Sequence, residues 1–257
     1  MTSFPNVLQS VFIIIMLSIS HIIIKNLLSF IENDNLITML NGIFKCCLLF
    51  LFLLYMVREK YIEKLEFSLK EIDIAVLITS VLGIISISFF PLPEFSLFKQ
   101  DTIENYVVNA IDNQSDIFIF ISMVVTAPIL EEIIFRGVIQ RGLSTKYSPV
   151  ISIVISSALF AVLHLSLVGT FLFGLFIGWI YYRTKNLLYC ILMHAVVNLI
   201  SFGMRFVIFK EYVTMDNFTG FFQSHNLLIG SVLLVIFLGS MFYLYLTFKK
   251  HDNKIDN

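Results

Sequence analysis

Three short stretches of this sequence place ionisable or amide side chains inside apolar runs. The first is Glu131-Glu132-Ile133-Ile134-Phe135-Arg136-Gly137, with two adjacent carboxylates and a guanidinium. Glu132 and Arg136 stand four apart, acid before base, the favourable order for an ion pair along one helix face. Glu131 lies about 100° round the helix, so that pairing leaves it free. A carboxylate in apolar surroundings is a stronger base than in water, which suits general-base work near neutral pH. Pro128, one turn earlier, removes a backbone hydrogen bond and gives water room to enter. A purely structural charge cluster is the competing reading, and Glu131 alone does not separate the two.

The second stretch is Phe160-Ala161-Val162-Leu163-His164. Glu131 precedes Tyr147 by 16 residues and His164 follows it by 17. In an antiparallel helical hairpin turning near Thr145–Pro149, equal rise per residue brings the two side chains to nearly one height. They could then share one water. A lone histidine on an apolar helix is otherwise a packed residue, and Phe160, one turn below, is expected to pack. The third stretch is His194-Ala195-Val196-Val197-Asn198. Its spacing of four puts imidazole and carboxamide on one face. They lie about 12 and 18 Å beyond the basic turn Arg183–Lys185 by helical rise. Such a pair suggests an oxyanion wall; interhelical hydrogen bonding is the alternative.

Together the three stretches permit one mechanism. Glu131 and His164 activate a water that attacks a peptide carbonyl, His194 and Asn198 stabilise the oxygen that becomes negative, and one group, such as His164, protonates the leaving amine. The sequence contains no HExxH, and none of His21, His164, His194, His225 and His251 are paired at four. Glu131, His164 and His194 would make a three-ligand zinc site with an open position, with Asn198 a poor fourth ligand. The expectation is no cofactor, with zinc left open as the alternative.

The elements that position these residues follow from composition. The chain has 257 residues, of which 58% are hydrophobic and 14% charged, and its mean hydropathy is +0.90. Soluble domains carry about 45–50% apolar and roughly 25% charged residues. One soluble core of this size cannot hide that excess, so lipid must solvate much of it. Soluble-enzyme, disordered and nucleic-acid-binding classes are thereby disfavoured. Eight apolar runs qualify as spans: Val7–Phe30, Leu36–Val57, Ile72–Pro91, Ile117–Ile139, Pro149–Leu167, the short Thr170–Tyr182, Leu187–Met204 and Leu227–Phe248. The N-terminal run lacks the basic start and cleavage site of a signal peptide and is expected to be a retained span.

With a cytoplasmic N-terminus, inner segments hold Arg58, Lys60, Lys64, Lys70, Arg141, Lys146, Arg183, Lys185, Lys249, Lys250 and Lys254, whereas outer ones hold Lys99, Arg205 and Lys210. This follows the positive-inside rule and puts both termini in the cytoplasm. The longest outer loop, Leu92–Asp116, is acidic. Lys25 and Lys45 are expected to snorkel or face the bundle. The segment Arg58–Glu71 reads as a solvated surface helix. Gly174 and Gly178 form a GxxxG pattern that allows close helix packing. Ser156, Ser157 and Thr170 read as ordinary hydroxyls. Cys46, Cys47 and Cys190 fall in apolar runs and read as packing residues without a redox role.

EEIIFRG at 131–137, FAVLH at 160–164 and HAVVN at 194–198 resemble the ordered motifs of the CPBP family, which contains CAAX prenyl endopeptidases, bacteriocin-processing enzymes and immunity-associated proteins. The resemblance covers Ile117 to Phe202; the first three spans and the last carry no matching motif. It implies a helical intramembrane endopeptidase whose active site opens toward the cytoplasm. By motif position it assigns the catalytic glutamate to Glu131 and the water-activating histidine to His164. The oxyanion groups fall on His194 and Asn198, and the supporting acidic and basic positions on Glu132 and Arg136. The family is often labelled metalloprotease, and a metal-free glutamate mechanism is also argued for it; the ligand types here agree better with the second.

The expectation is therefore an all-α, polytopic transmembrane bundle of about eight spans, one integral membrane domain over residues 1–257 with its catalytic core at 117–202. Its partners would be a lipid bilayer and a membrane-associated or lipidated protein or peptide precursor, with no nucleic acid. A bacterial cytoplasmic membrane is the expected location. Peptide pheromones, bacteriocin leaders or anchored regulators are then more plausible substrates than prenylated tails. Two other functions compete. One is a non-enzymatic scaffold or bacteriocin-immunity protein of the same fold. The other is a small transporter with Glu131 and the histidines as a proton relay, which would call for an internal repeat the sequence does not show.

Overall fold

The computed structural model describes residues 4–27, 34–58, 67–90, 116–164, 166–209 and 224–255. Among them the regular structure is helical and no strand occurs. The helices are α1 (Val7–Leu27), α2 (Asp34–Arg58), α3 (Ile74–Ser88), α4 (residues 116–144), α5 (Pro149–Val162), α6 (Leu167–Thr184), α7 (Leu187–Phe209) and α8 (Asn226–Ile255). Each lies on one of the eight apolar runs.

Four of these helices contain a stretch long and apolar enough to cross a membrane unaided: Ile117–Ser144 in α4, α6, Leu187–Met204 in α7 and Asn226–Lys250 in α8. At 15 and 14 residues, α3 and α5 fall short of the roughly 20 residues that a bilayer core requires. The polarity is reversed relative to a soluble protein. Leu228, Val235, Leu238 and Phe242 of α8 face outward, while Glu132, Arg136, Gln140, Asn186 and His194 are buried. Lipid accepts the first set without cost, and the bundle interior must pair the second. This is an integral membrane protein.

The helices meet as a layered bundle in which α5 lies along α6, α8 lies along α3, and α4 touches α5, α6 and α7. Phe135, Val138 and Ile139 of α4, Phe160 of α5, Ile177 and Ile180 of α6, and Met193 of α7 form its centre. The GxxxG glycines allow the close approach. A Cβ on Gly174 would stand 3.0 Å from Ser157 Cβ of α5, and one on Gly178 would stand 2.8 Å from Gln140 Oε1 of α4. The three cysteines are free, with Cys190 buried and Cys46 and Cys47 exposed.

Helix ends depart from the hydropathy reading in several places. α5 stops at Val162 instead of reaching Leu167. The Leu163 and His164 N–H groups bond the carbonyls three residues back, tightening the last turn. α6 begins at Leu167, earlier than Thr170, and is stopped by Lys185 in the left-handed region (φ 56°). α8 runs past Phe248 to Ile255, and an ion pair, Arg183 Nη2 to Asp252 Oδ2 at 2.7 Å, ties its polar end to α6. The described end of the segment Arg58–Glu71 is a turn rather than a helix. Asn186 Nδ2 donates to the Ser68 carbonyl at 2.7 Å, pinning that turn to the start of α7. Asp73 then caps α3 by accepting from the N–H groups of Ala75 and Val76. Residues 91–115, which hold most of the acidic outer loop and Lys99, lie outside the described residues. So do Lys210 and the side chains of Lys25, Lys45 and Arg205.

Candidate active site

α4 is not a uniform α-helix. Two π-helical segments, Ile121–Thr126 and Ile133–Gln140, flank the α-helical segment Ala127–Glu132 that carries both carboxylates. Such π turns occur frequently at functional sites. Here one has a clear cause in Pro128. The Ala127 N–H bonds the Ser122 carbonyl, five residues back. The next donor in that register would be residue 128, a proline with no N–H, so the Met123 carbonyl loses its π partner as well as its α partner. Asn198 of α7 supplies the replacement, its Nδ2 donating to Met123 O at 2.8 Å.

Glu132 and Arg136 are both fully buried and form the expected pair, with Arg136 Nε 3.2 Å from Glu132 Oε2 and Nη1 3.4 Å from Oε1. The Nε contact is an ion pair bent away from hydrogen-bond geometry. Arg136 Nη2 also donates to the Gly174 carbonyl at 3.2 Å, and its guanidinium lies over the Phe160 ring at 4.9 Å. Four residues on, Gln140 Nε2 donates to the Gly178 carbonyl at 2.7 Å. The two glycines of the GxxxG pattern thus face a polar ladder on α4. Sequence reading missed this ladder, since spacing shows the glycine stripe but not its partner.

His164 lies just beyond the C-terminus of α5, not within a helix. Its Nδ1 is 2.8 Å from the Phe160 carbonyl, which can only accept, so Nδ1 carries the proton. His194 Nδ1 is 2.7 Å from Glu132 Oε1, and Arg136 keeps that carboxylate an acceptor, so this Nδ1 also donates. Both rings are therefore held with Nε2 turned toward Glu131. Each Nε2 is 3.8 Å from Glu131 Oε2, an oxygen with no direct hydrogen-bond partner among the described residues. Phe160, 1% exposed, lies tilted against His164 and meets His194 edge-on, and Phe173 also packs edge-on against His194.

Glu131, His164, His194 and Asn198 all line one cavity of about 370 Å³, while Glu132 and Arg136 stand behind it. The side chains of Glu131 and His164 are about one-third exposed to that space, and His194 is 5% exposed. Ser88, Ser166 and Thr170 line it too. Ser88 had no signal in the sequence beyond being a serine in an apolar run, and Thr170 read there as an ordinary hydroxyl.

Three acceptors facing one point repel unless something that donates binds among them. A water meets that need by giving its two hydrogens to two of the three, which turns its lone pairs outward as a nucleophile. The donor types also suit zinc. However, the 3.8 Å separations exceed the roughly 3.4 Å edge of a tetrahedron with 2.0–2.1 Å bonds. Among the described residues no group of three His, Cys, Asp or Glu is set to hold a metal ion.

Residues 113–200 match the family described as type II CAAX prenyl endopeptidase Rce1-like, which supports the CPBP resemblance. The matched segment contains α4 to α7 up to Ile200, and with it every candidate site residue. An uncharacterized protein of Mycoplasma capricolum subsp. capricolum is 34% identical over 116 residues, covering 41% of this chain and 31% of that protein. The chain thus spans about a third of that relative's length. No solved structure matches the chain.

Proposed function

We propose that this protein is an intramembrane endopeptidase that hydrolyses a peptide bond in a membrane-associated or lipidated protein or peptide precursor. The observation that carries the reading is the convergence of Glu131 Oε2 with the Nε2 atoms of His164 and His194, each at 3.8 Å, in a cavity inside an apolar bundle. A water held there donates to Glu131 and His164. As its oxygen bonds the peptide carbonyl carbon, Glu131 takes the proton. The carbonyl oxygen becomes negative and is met by His194, whose Nε2 must first take up a proton from the cavity water to become a donor, with the Glu132 carboxylate behind the ring. The second amide hydrogen of Asn198 is available to the same oxygen, since only one is used on Met123. The proton taken by Glu131 then passes to the leaving amine, directly or through His164 Nε2, as the C–N bond breaks.

In this reading the protein needs no metal. The eight helices are eight membrane passes with both termini cytoplasmic in a bacterial cytoplasmic membrane, and residues 1–257 form one membrane domain. The family match and the basic residues at the shared end of α4 and α6 support it. The test is comparative membrane peptidomics of cells carrying the wild type or Glu131→Ala. A peptide that vanishes with the variant identifies substrate and cut site. Unchanged peptides in Glu131→Ala, Glu131→Gln and His164→Ala would favour a non-enzymatic scaffold.

A further inference from the structure

Many helical hydroxyls in this protein are satisfied within their own helix. Ser86, Ser144, Ser152, Ser157, Thr184 and Ser201 each donate to the carbonyl four residues back. This is how an apolar helix satisfies an O–H without help. Ser156 instead crosses to the Phe135 carbonyl at 2.9 Å. Ser88, the last residue of α3, does neither. Among the described residues its Oγ has no hydrogen-bond partner and is shielded from solvent, and Ser88 lines the cavity that holds Glu131, His164, His194 and Asn198. Ser80 of the same helix also has an unpaired hydroxyl, but it does not line that cavity.

A buried hydroxyl without a partner destabilises the fold by its lost hydration, so its presence beside a reaction cavity calls for an occupant. A peptide entering an apolar site faces the same cost, because each main-chain N–H and C=O leaves water and must find a replacement bond. α3 is fixed for this purpose. A Cβ on Gly83 would stand 2.7 Å from the Phe176 ring, so α3 is seated hard against α6 where it delivers Ser88 to the cavity wall. Ser88 lies outside residues 113–200, so the family match assigns it nothing.

We propose that Ser88 is a substrate-binding residue whose hydroxyl hydrogen-bonds the main chain of the peptide drawn past Glu131. The inference rests on the endopeptidase reading. A hydroxyl donates and accepts, so it serves an N–H or a C=O of the peptide alike and acts on affinity rather than on the attacking water.

The experiment uses the full chain in phosphatidylethanolamine–phosphatidylglycerol vesicles. The probe is a pool of N-palmitoylated, internally quenched octapeptides with randomised central residues. Ser88→Ala should raise KM roughly three- to tenfold, the factor for one neutral hydrogen bond, with kcat within about twofold. Its thermal midpoint should equal or exceed the wild type's, because the change deletes an unpaired hydroxyl. Ser88→Thr, which keeps the hydroxyl, should retain most of the affinity. A wild-type KM in Ser88→Ala overturns the proposal, and so does a lowered midpoint, which would mean that the hydroxyl serves the fold. Absence of cleavage by the wild type, or equal cleavage by Glu131→Ala, overturns the endopeptidase reading itself and this inference with it.

Discussion

Glu132 Oε1 accepts a 2.7 Å hydrogen bond from His194 Nδ1, joining α4 to α7 across 62 positions of sequence. Arg136 holds the same carboxylate, so the chain of contacts runs from the cavity through His194, Glu132 and Arg136 to the Gly174 carbonyl of α6. Glu132 therefore does two things. It neutralises Arg136 inside the bundle, and it fixes which nitrogen of His194 faces the cavity. Sequence spacing showed only the first.

That double role predicts a split among variants. Glu132→Ala and Arg136→Ala each leave one fully buried charge without its partner, which destabilises by about 3–5 kcal/mol. Both should unfold at clearly lower temperature in detergent and accumulate poorly in membranes. Glu132→Gln keeps the shape but removes the charge behind His194. It should slow cleavage at least about tenfold beyond any loss of folded protein. A stable Glu132→Ala or Arg136→Ala protein with no cleavage would reverse the assignment of this pair as support.

Glu131 and His164 should behave oppositely. Glu131 Oε2 has no direct partner, so Glu131→Gln and Glu131→Ala remove base catalysis without removing a structural bond. Cleavage should fall by about 10²–10⁴-fold with an unchanged or raised thermal midpoint. His164→Ala also loses the bond to the Phe160 carbonyl at the end of α5, so a loss of about 1 kcal/mol should accompany its loss of activity. Measured rates and unfolding midpoints of the same preparations decide this.

Zinc offers a separate check. Active protein purified without added metal should contain well under one zinc per chain, and its cleavage rate should survive a strong chelator. Stoichiometric metal, with activity lost on chelation and restored by zinc alone, would mean that Glu131, His164 and His194 draw together into a ligand set.

Much of this was legible in the sequence because the bilayer simplifies the code. An apolar run must be helical to satisfy its backbone, so the eight helices among the described residues could be located, and a polar residue within one is conspicuous. Equal rise along a hairpin put Glu131 level with His164 without any coordinates. Other features were not legible. The π segments of α4 depend on backbone register, which hydropathy does not encode. The stop at Val162 depends on the His164 side chain turning back to Phe160. Ser88 is one serine among many, distinguished by the bond it does not make.

The glycines give a contrast in packing. A Cβ on Gly178 would lie 2.8 Å from Gln140 Oε1 and 3.1 Å from Ile153, whereas one on Gly239 of α8 meets nothing within 4 Å. Gly178→Leu should force α6 away from α4 and lose several kcal/mol along with cleavage. Gly239→Ala should be neutral, or stabilising by about 0.5–1 kcal/mol through higher helix propensity. Equal effects at the two positions would contradict the packing of α6 described above.

Asn198 carries the last prediction, because its amide has two roles to tell apart. Nδ2 donates to the Met123 carbonyl, which Pro128 and the π register have left without a backbone donor. If that bond is its main duty, Asn198 acts by holding the broken part of α4 in place, and hence Glu131. Giving Met123 another donor should then relieve the need for it. Pro128→Ala restores an N–H at the position five residues on. The thermal loss caused by Asn198→Ala, about 1–2 kcal/mol with Pro128 present, should shrink by at least half in the Pro128→Ala background. Asn198→Asp, which turns a carboxylate oxygen toward the carbonyl, should cost more than Asn198→Ala. Unfolding midpoints of the four proteins in the cycle test the coupling, and cleavage rates show whether activity follows. Additive losses in stability, with cleavage lost equally in both backgrounds, would leave Asn198 as an oxyanion donor alone.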